Sequence, residues 1–195
     1  MHPLEASNSI GGTCRLKKDT RPNQDIFLDL NCASRQRGTD WILGHGFSIS
    51  AFMAYLQAPA ELAAGGDPRT ILDRIIPDRP AVMMEETSHS VWVNSAALKI
   101  AGLDGKNPPN WIGTKVMVNA SNYANGILLE SAGNILLDMA FDPVKYPLMR
   151  NFSYNALLAG LGTLARNGLT HLLMPEIFTG VETTKPFREL KMKTC

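Results

Sequence analysis

Apolar residues in this chain come in short blocks cut apart by glycine, proline and polar bursts, and each block predicts one element. Residues 1–21 carry no periodicity; Gly11-Gly12 marks a loop and Lys17-Lys18-Asp19 a solvated stretch. After Pro22, the positions Ile26, Phe27, Leu28 and Leu30 predict a short helix that Gly38 can stop. Trp41-Ile42-Leu43 predicts a short buried strand closed by Gly44-His45-Gly46, a place where backbone can approach a ligand. Ser48 can cap the next helix, whose apolar stripe is Phe52, Met53 and Leu56. Ala63 to Gly66 reads as a loop, and Thr70 to Ile76 as a helix stopped by Pro77.

Pro80-Ala81-Val82-Met83-Met84 is continuously apolar, as expected of a parallel strand covered on both faces. It ends in the polar burst Glu85-Glu86-Thr87-Ser88-His89-Ser90. A helix is expected next, with Val91, Val93, Ala97, Leu98 and Ala101 inward and Gly102 at its end. Val116-Met117-Val118 and Ile127-Leu128-Leu129 predict a small antiparallel ribbon turning through Asn122 to Gly126. Two helices follow, Glu130 to Phe141 and Tyr146 to Asn167, the second with Leu157, Leu158, Leu161 and Leu164 apolar and Gly168 as C-cap. Leu169 to Met174 predicts a last buried strand; from Pro175 the tail turns polar. Strands alternating with helices imply parallel strands covered by helices, either an open doubly wound sheet or part of a (β/α) barrel. Three such strands cannot make a complete barrel of eight.

With 195 residues, 45% of them hydrophobic and 19% charged, the chain can bury one core, at most two. A net charge of +1 argues against a dedicated nucleic-acid or membrane-surface protein. Cys14, Cys32 and Cys195 make no disulfide framework or zinc-ligand spacing, which points to a reducing compartment and a cytoplasmic protein. The first residues lack the apolar core of a signal peptide, and no apolar run is long enough to span a bilayer. The acceptor patterns at Asn119 and Asn151 carry no weight in a cytoplasmic chain.

Of the four histidines, His45 and His89 fall at expected strand ends, where parallel α/β folds place their chemistry. His89 has Glu85 and Glu86 close by, and a carboxylate can orient one ring nitrogen while the other meets a substrate oxygen or a metal. The structural reading is that Ser88 or Ser90 caps the next helix and His89 decorates its first turn. His45 reads equally as a loop residue, and His171 as a strand residue hydrogen-bonded in the core or at its rim. Glu130 is either a metal-facing carboxylate or an exposed first-turn acid favoured by the helix dipole. No GxGxxG, P-loop, GxSxG elbow or HExxH occurs, so dehydrogenase, kinase, serine hydrolase and zincin readings lack support.

The run Pro77-Asp78-Arg79-Pro80-Ala81-Val82, followed by Ser88-His89-Ser90-Val91-Trp92-Val93-Asn94-Ser95-Ala96-Ala97-Leu98 and on to Gly102, resembles the amidohydrolase 3 branch of the amidohydrolase superfamily (YtcJ-like and N-substituted formamide deformylase-like hydrolases). Thr87-Ser88 stands where that branch has Asp-Gly. Trp41 to Gly46, Asn125 to Glu130 and Asn167 to Thr170 resemble further family stretches, in order. Met1-His2-Pro3 looks like the end of the family's His-x-His metal motif.

The resemblance implies a partial (β/α)8 TIM barrel of the metal-dependent hydrolase type over residues 1–175, with a small inserted β-ribbon, and a divergent tail at 176–195 expected to lack order. It implies hydrolysis of non-peptide C–N bonds in a small amide or cyclic amide, using a divalent metal, usually zinc. His89 would then be catalytic, His45, Trp92 and Asn94 would bind substrate, and His2 would hold the metal. Because such a metal takes about three protein ligands, the 195 residues are expected to be an inactive fragment, self-associating through open barrel edges. The alternative is a non-catalytic binding or regulatory α/β module.

Overall fold

The computed structural model describes residues 14–16, 39–57, 67–110, 113–142 and 144–169. His2, His171, the helix expected after Pro22, most of the strand expected from Leu169 and the tail from 176 lie outside the described residues. Among the described residues six strands form one sheet: β1 (Cys14–Arg15), β2 (Ile42–Phe47), β3 (Ala81–Glu85), β4 (Ser90–Val93), β5 (Thr114–Val118) and β6 (Ala124–Glu130). Among the described residues five helices accompany it: α1 (Ile49–Leu56), α2 (Pro68–Ile75), α3 (Ser95–Ile100), α4 (Ser131–Ala140) and α5 (Pro147–Arg166). The strand order is β1-β2-β3-β4-β6-β5. The first two pairings are parallel, and β3–β4, β4–β6 and β6–β5 are antiparallel.

The expectation of a helix directly after the polar burst is corrected by β4. Val91-Trp92-Val93 alternates faces instead of following a helical stripe, and branched and aromatic residues suit a pleated surface. Val93, Trp92 and Val91 sit opposite Val82, Met83 and Met84, while Trp92, Val91 and Ser90 meet Ile127, Leu128 and Leu129 on the other side. The helix opens only at Ser95, capped by Asn94, not by Ser88 or Ser90. The expected ribbon forms but is no separate insertion: β6 joins it to β4 and extends the sheet. The described sheet is therefore mixed, where the strand–helix alternation pointed to a parallel set.

Both faces are covered, as the continuous apolar run of β3 requires. Ala81, Met83, Trp92 and Ile127 pack on one face with Phe52 and Leu56 of α1 and Ile71 and Leu72 of α2. Val82, Met84, Val91, Val93 and Leu128 pack on the other with Leu98 of α3, Leu136 of α4 and Met149 of α5. Ser48 accepts from the Ala51 N–H at 3.5 Å as the cap of α1, and Phe52 and Leu56 are buried, but Met53 is 44% exposed and leaves the expected stripe. Cys14 is disulfide-bonded, a departure from the reduced state that the sparse cysteine set suggested.

Strand β2 does not end at its glycines. It runs through them, and the pairing with β3 shifts between His45 and Phe47, as a bulge does. Ile42 faces α1 and α2 while Leu43 faces the other layer; strict alternation would send Phe47 after Leu43, yet Phe47 packs with Ile42. Gly46, at φ +106°, takes up the shift, and a Cβ there would stand 2.8 Å from the Leu16 carbonyl oxygen. At Gly44 the same space is held by Cys14 and the Met83 side chain. These glycines admit protein, not a ligand. Gly46→Ala is expected to cost about 2 kcal/mol or more from the left-handed backbone and the contact together. Urea unfolding checks it, and a midpoint equal to that of the parent chain would contradict the bulge.

Candidate active site

Strands β1, β2, β3 and β6 all run the same way, so their carboxyl ends meet along one edge of the sheet. That edge carries His45 and Phe47, Glu85, the turn 86–89 and Glu130. It is the edge at which parallel α/β folds place ligands.

His89 lies in the turn between β3 and β4, not on a helix. Backbone bonds fix the turn: Glu86 N–H donates to the Phe47 carbonyl (3.0 Å) and Ser88 N–H to the Glu85 carbonyl (3.0 Å). Ser88 takes a left-handed φ of 66°. Glu85 is only 3% exposed, and its carboxylate accepts the Thr87 hydroxyl at 2.6 Å. It is thus occupied with bracing the turn, and the carboxylate expected to orient His89 comes from elsewhere. Glu130, 41 residues on, places Oε2 3.1 Å from His89 Nδ1. Its N–H also donates to the His89 carbonyl at 2.7 Å. The sequence flags Glu130 as a candidate, but its pairing with His89 follows only from the β4–β6 register, which needs β4 to be read as a strand.

The pair contributes little to stability. The His89 and Glu130 side chains are 66% and 60% exposed, and an exposed ion pair is worth about 0–1 kcal/mol, here only when the imidazole is protonated. Glu130 sits at φ 56°, ψ −139°, and such a conformation costs a non-glycine residue about 1–3 kcal/mol. It occupies the N-cap of α4 yet makes no side-chain capping bond. Glu130 is thus a strained residue whose side chain turns to His89 instead of capping its helix.

The other candidates separate cleanly. His45 is half-buried within β2, its Cα opposite Arg15 and Met84 and its carbonyl accepting the Leu16 N–H at 2.8 Å; it is a strand residue at the same edge as His89, not a loop residue. Trp92 is 0% exposed, donates Nε1–H to the Pro68 carbonyl at 2.8 Å, and packs on Phe52 with ring centroids 4.4 Å apart. Asn94 lies at the opposite edge, 1% exposed. Its Oδ1 accepts from the Ala81 and Ala97 N–H groups (3.0 Å each) and its Nδ2 donates to the Ile76 and Arg79 carbonyls (3.0 and 2.8 Å). All its side-chain amide capacity goes into joining β3, α2 and α3. Trp92 and Asn94, both expected to bind substrate, thus have their polar groups engaged within the scaffold.

Among the described residues, no group of three or more His, Cys, Asp or Glu is placed to hold a metal ion. The donors at the carboxyl edge are engaged: His89 with Glu130, and Glu85 with Thr87. These residues do not fit a hydrolytic metal centre, which takes about three protein ligands. No described helix is long and apolar enough to cross a membrane.

Comparison with known proteins gives the broader setting. YtcJ of Bacillus subtilis (strain 168), named an amidohydrolase by inference, is 30% identical over 131 residues, which make up 67% of this chain but 22% of that protein. N-substituted formamide deformylase of Arthrobacter pascens is 34% identical over 65 residues, 33% of this chain and 12% of the enzyme. The matches therefore span about a fifth or less of either relative. In fold, the whole chain superposes on 34% of an uncharacterized metal-dependent hydrolase from Pyrococcus furiosus, with a TM-score of 0.58 at 17% identity. The profile of the amidohydrolase family matches residues 7–194. A match of that extent settles descent: the chain belongs to the amidohydrolase family.

Proposed function

We propose that this chain forms part of a metal-dependent hydrolase that cleaves non-peptide C–N bonds in a small amide or cyclic amide. The observation that carries the reading is the carboxylate-backed imidazole of His89 at the carboxyl edge of the sheet, in a chain of the amidohydrolase family. His89 is the proton-transferring residue, and His45, at the same edge, belongs to the substrate side. A divalent ion, zinc by its chemistry with imidazole and carboxylate, would polarise the amide carbonyl and acidify a bound water. The described residues offer it no centre, so the reading assigns the ion to His2 together with ligands outside the described set. The sheet then belongs to an incomplete (β/α)8 barrel over residues 1–175, in a cytoplasmic protein, and the 195 residues alone are inactive.

The test uses the protein at the full length of its relatives and, beside it, the 195-residue chain. Amine release from N-acyl amides, or ring opening of cyclic amides to the corresponding acid, is expected from the longer protein only, abolished by chelation and reduced about 10²–10⁴-fold in kcat by His89→Gln. Near-stoichiometric zinc and chelator-sensitive turnover in the 195-residue chain would overturn the fragment reading. Amide binding without cleavage at full length would leave the non-catalytic module. Sedimentation of the short chain is expected to show self-association through open strand edges; a monomer would contradict that part.

A further inference from the structure

We infer that Glu130 is the positioning residue of this site: it holds the His89 ring in the Nδ1–H tautomer and leaves Nε2 as the ring's proton acceptor. An ionised carboxylate only accepts hydrogen bonds, so a neutral imidazole 3.1 Å away through Nδ1 must carry its proton on that nitrogen. The second contact, Glu130 N–H to the His89 carbonyl at 2.7 Å, ties the two backbones together and fixes the distance between the side chains. Glu85, four residues before His89, is buried and bonded to Thr87. The left-handed backbone of Glu130 sharpens the point. Glycine would adopt φ 56° without strain, so the glutamate side chain carries a backbone cost that glycine would avoid. The use made of Nε2, accepting a proton during hydrolysis, rests on the function proposed above; the tautomer itself does not.

The test is a long-range ¹H–¹⁵N correlation spectrum of the ¹⁵N-labelled 195-residue chain, about two pH units above the ordinary histidine value of ~6.5. His89 is assigned by the signals that His89→Gln removes. The Nδ1–H form is expected to dominate in the parent chain. Glu130→Gln should keep it, since the amide oxygen still accepts, whereas Glu130→Gly should invert the ratio toward Nε2–H while unfolding at the same or a higher urea concentration. That divergence separates positioning from a structural role, which would lose stability together with the tautomer. A parent ring in the Nε2–H form, or a ratio unmoved by Glu130→Gly, overturns the inference. Should Glu130→Gly fail to fold, the parent and Glu130→Gln spectra decide alone. Because none of these spectra needs turnover, a full-length protein that cleaves no amide would sink the hydrolase reading and leave this inference standing.

Discussion

Trp92→Ala is expected to remove most of the stability of the fold, with no ligand involved. The indole is wholly buried between Phe47 and Phe52, and truncating a buried aromatic costs about 3–5 kcal/mol. Loss of Nε1–H also strands the Pro68 carbonyl, a further penalty of about 1–3 kcal/mol. Against a usual domain stability of about 5–15 kcal/mol, the sum leaves little folded protein at 37 °C. Urea unfolding followed by circular dichroism reads the effect directly. Trp92→Phe keeps most of the packing and loses the donor, and should fall between the two. A Trp92→Ala protein of near-parental stability that had lost affinity for an amide would return this residue to the substrate.

The second large effect belongs to Asn94. Asn94→Ala strands two N–H groups and two carbonyls at a junction that is 1% exposed. At about 1–3 kcal/mol for each unsatisfied buried group, and with shared relaxation, a loss of at least about 3 kcal/mol is expected. Asn94→Asp is the sharper variant. It keeps the two acceptor bonds but turns a charged oxygen onto the Ile76 and Arg79 carbonyls. Folding then disfavours the ionised form, so the deficit should shrink as the pH falls and the carboxyl takes up a proton that it can donate. A deficit that grows with acidification, or one confined to KM in a stable protein, would contradict the structural assignment.

What could be read from the sequence depended on whether the deciding interaction was local. The apolar run before Glu85, the cap at Ser48 and the helices after Glu130 and Tyr146 follow from neighbouring residues, and the structure has them within a residue or two. Strand β4 was hidden because Val91 and Val93 satisfy a short strand and the start of a helical stripe equally well. Only their partners, Val82 to Met84 and Ile127 to Leu129, decide between the two. The error spread from there: with Val91 taken as helical, His89 became a first-turn residue, and nothing pointed to Glu130 as its carboxylate. The role of Asn94 was equally invisible, because its bonding partners on α2 and the loop after it are brought close only by tertiary packing. The end of β2 was hidden for a different reason, since the glycines beside His45 look like a terminus when they serve a bulge.

The turn at residues 86–89 sends the chain back across the sheet. On an extended strand rising about 3.3 Å per residue, His89 and Asn94 end up roughly 16 Å apart. Residues 89–94 thus divide between two ends of the sheet with different surroundings. The exposed end can change its side chains without disturbing the other, while the buried end must persist for the polypeptide to fold. Substitutions at positions 89 and 130 are therefore expected to leave folding largely intact, whereas those at Trp92 and Asn94 are not.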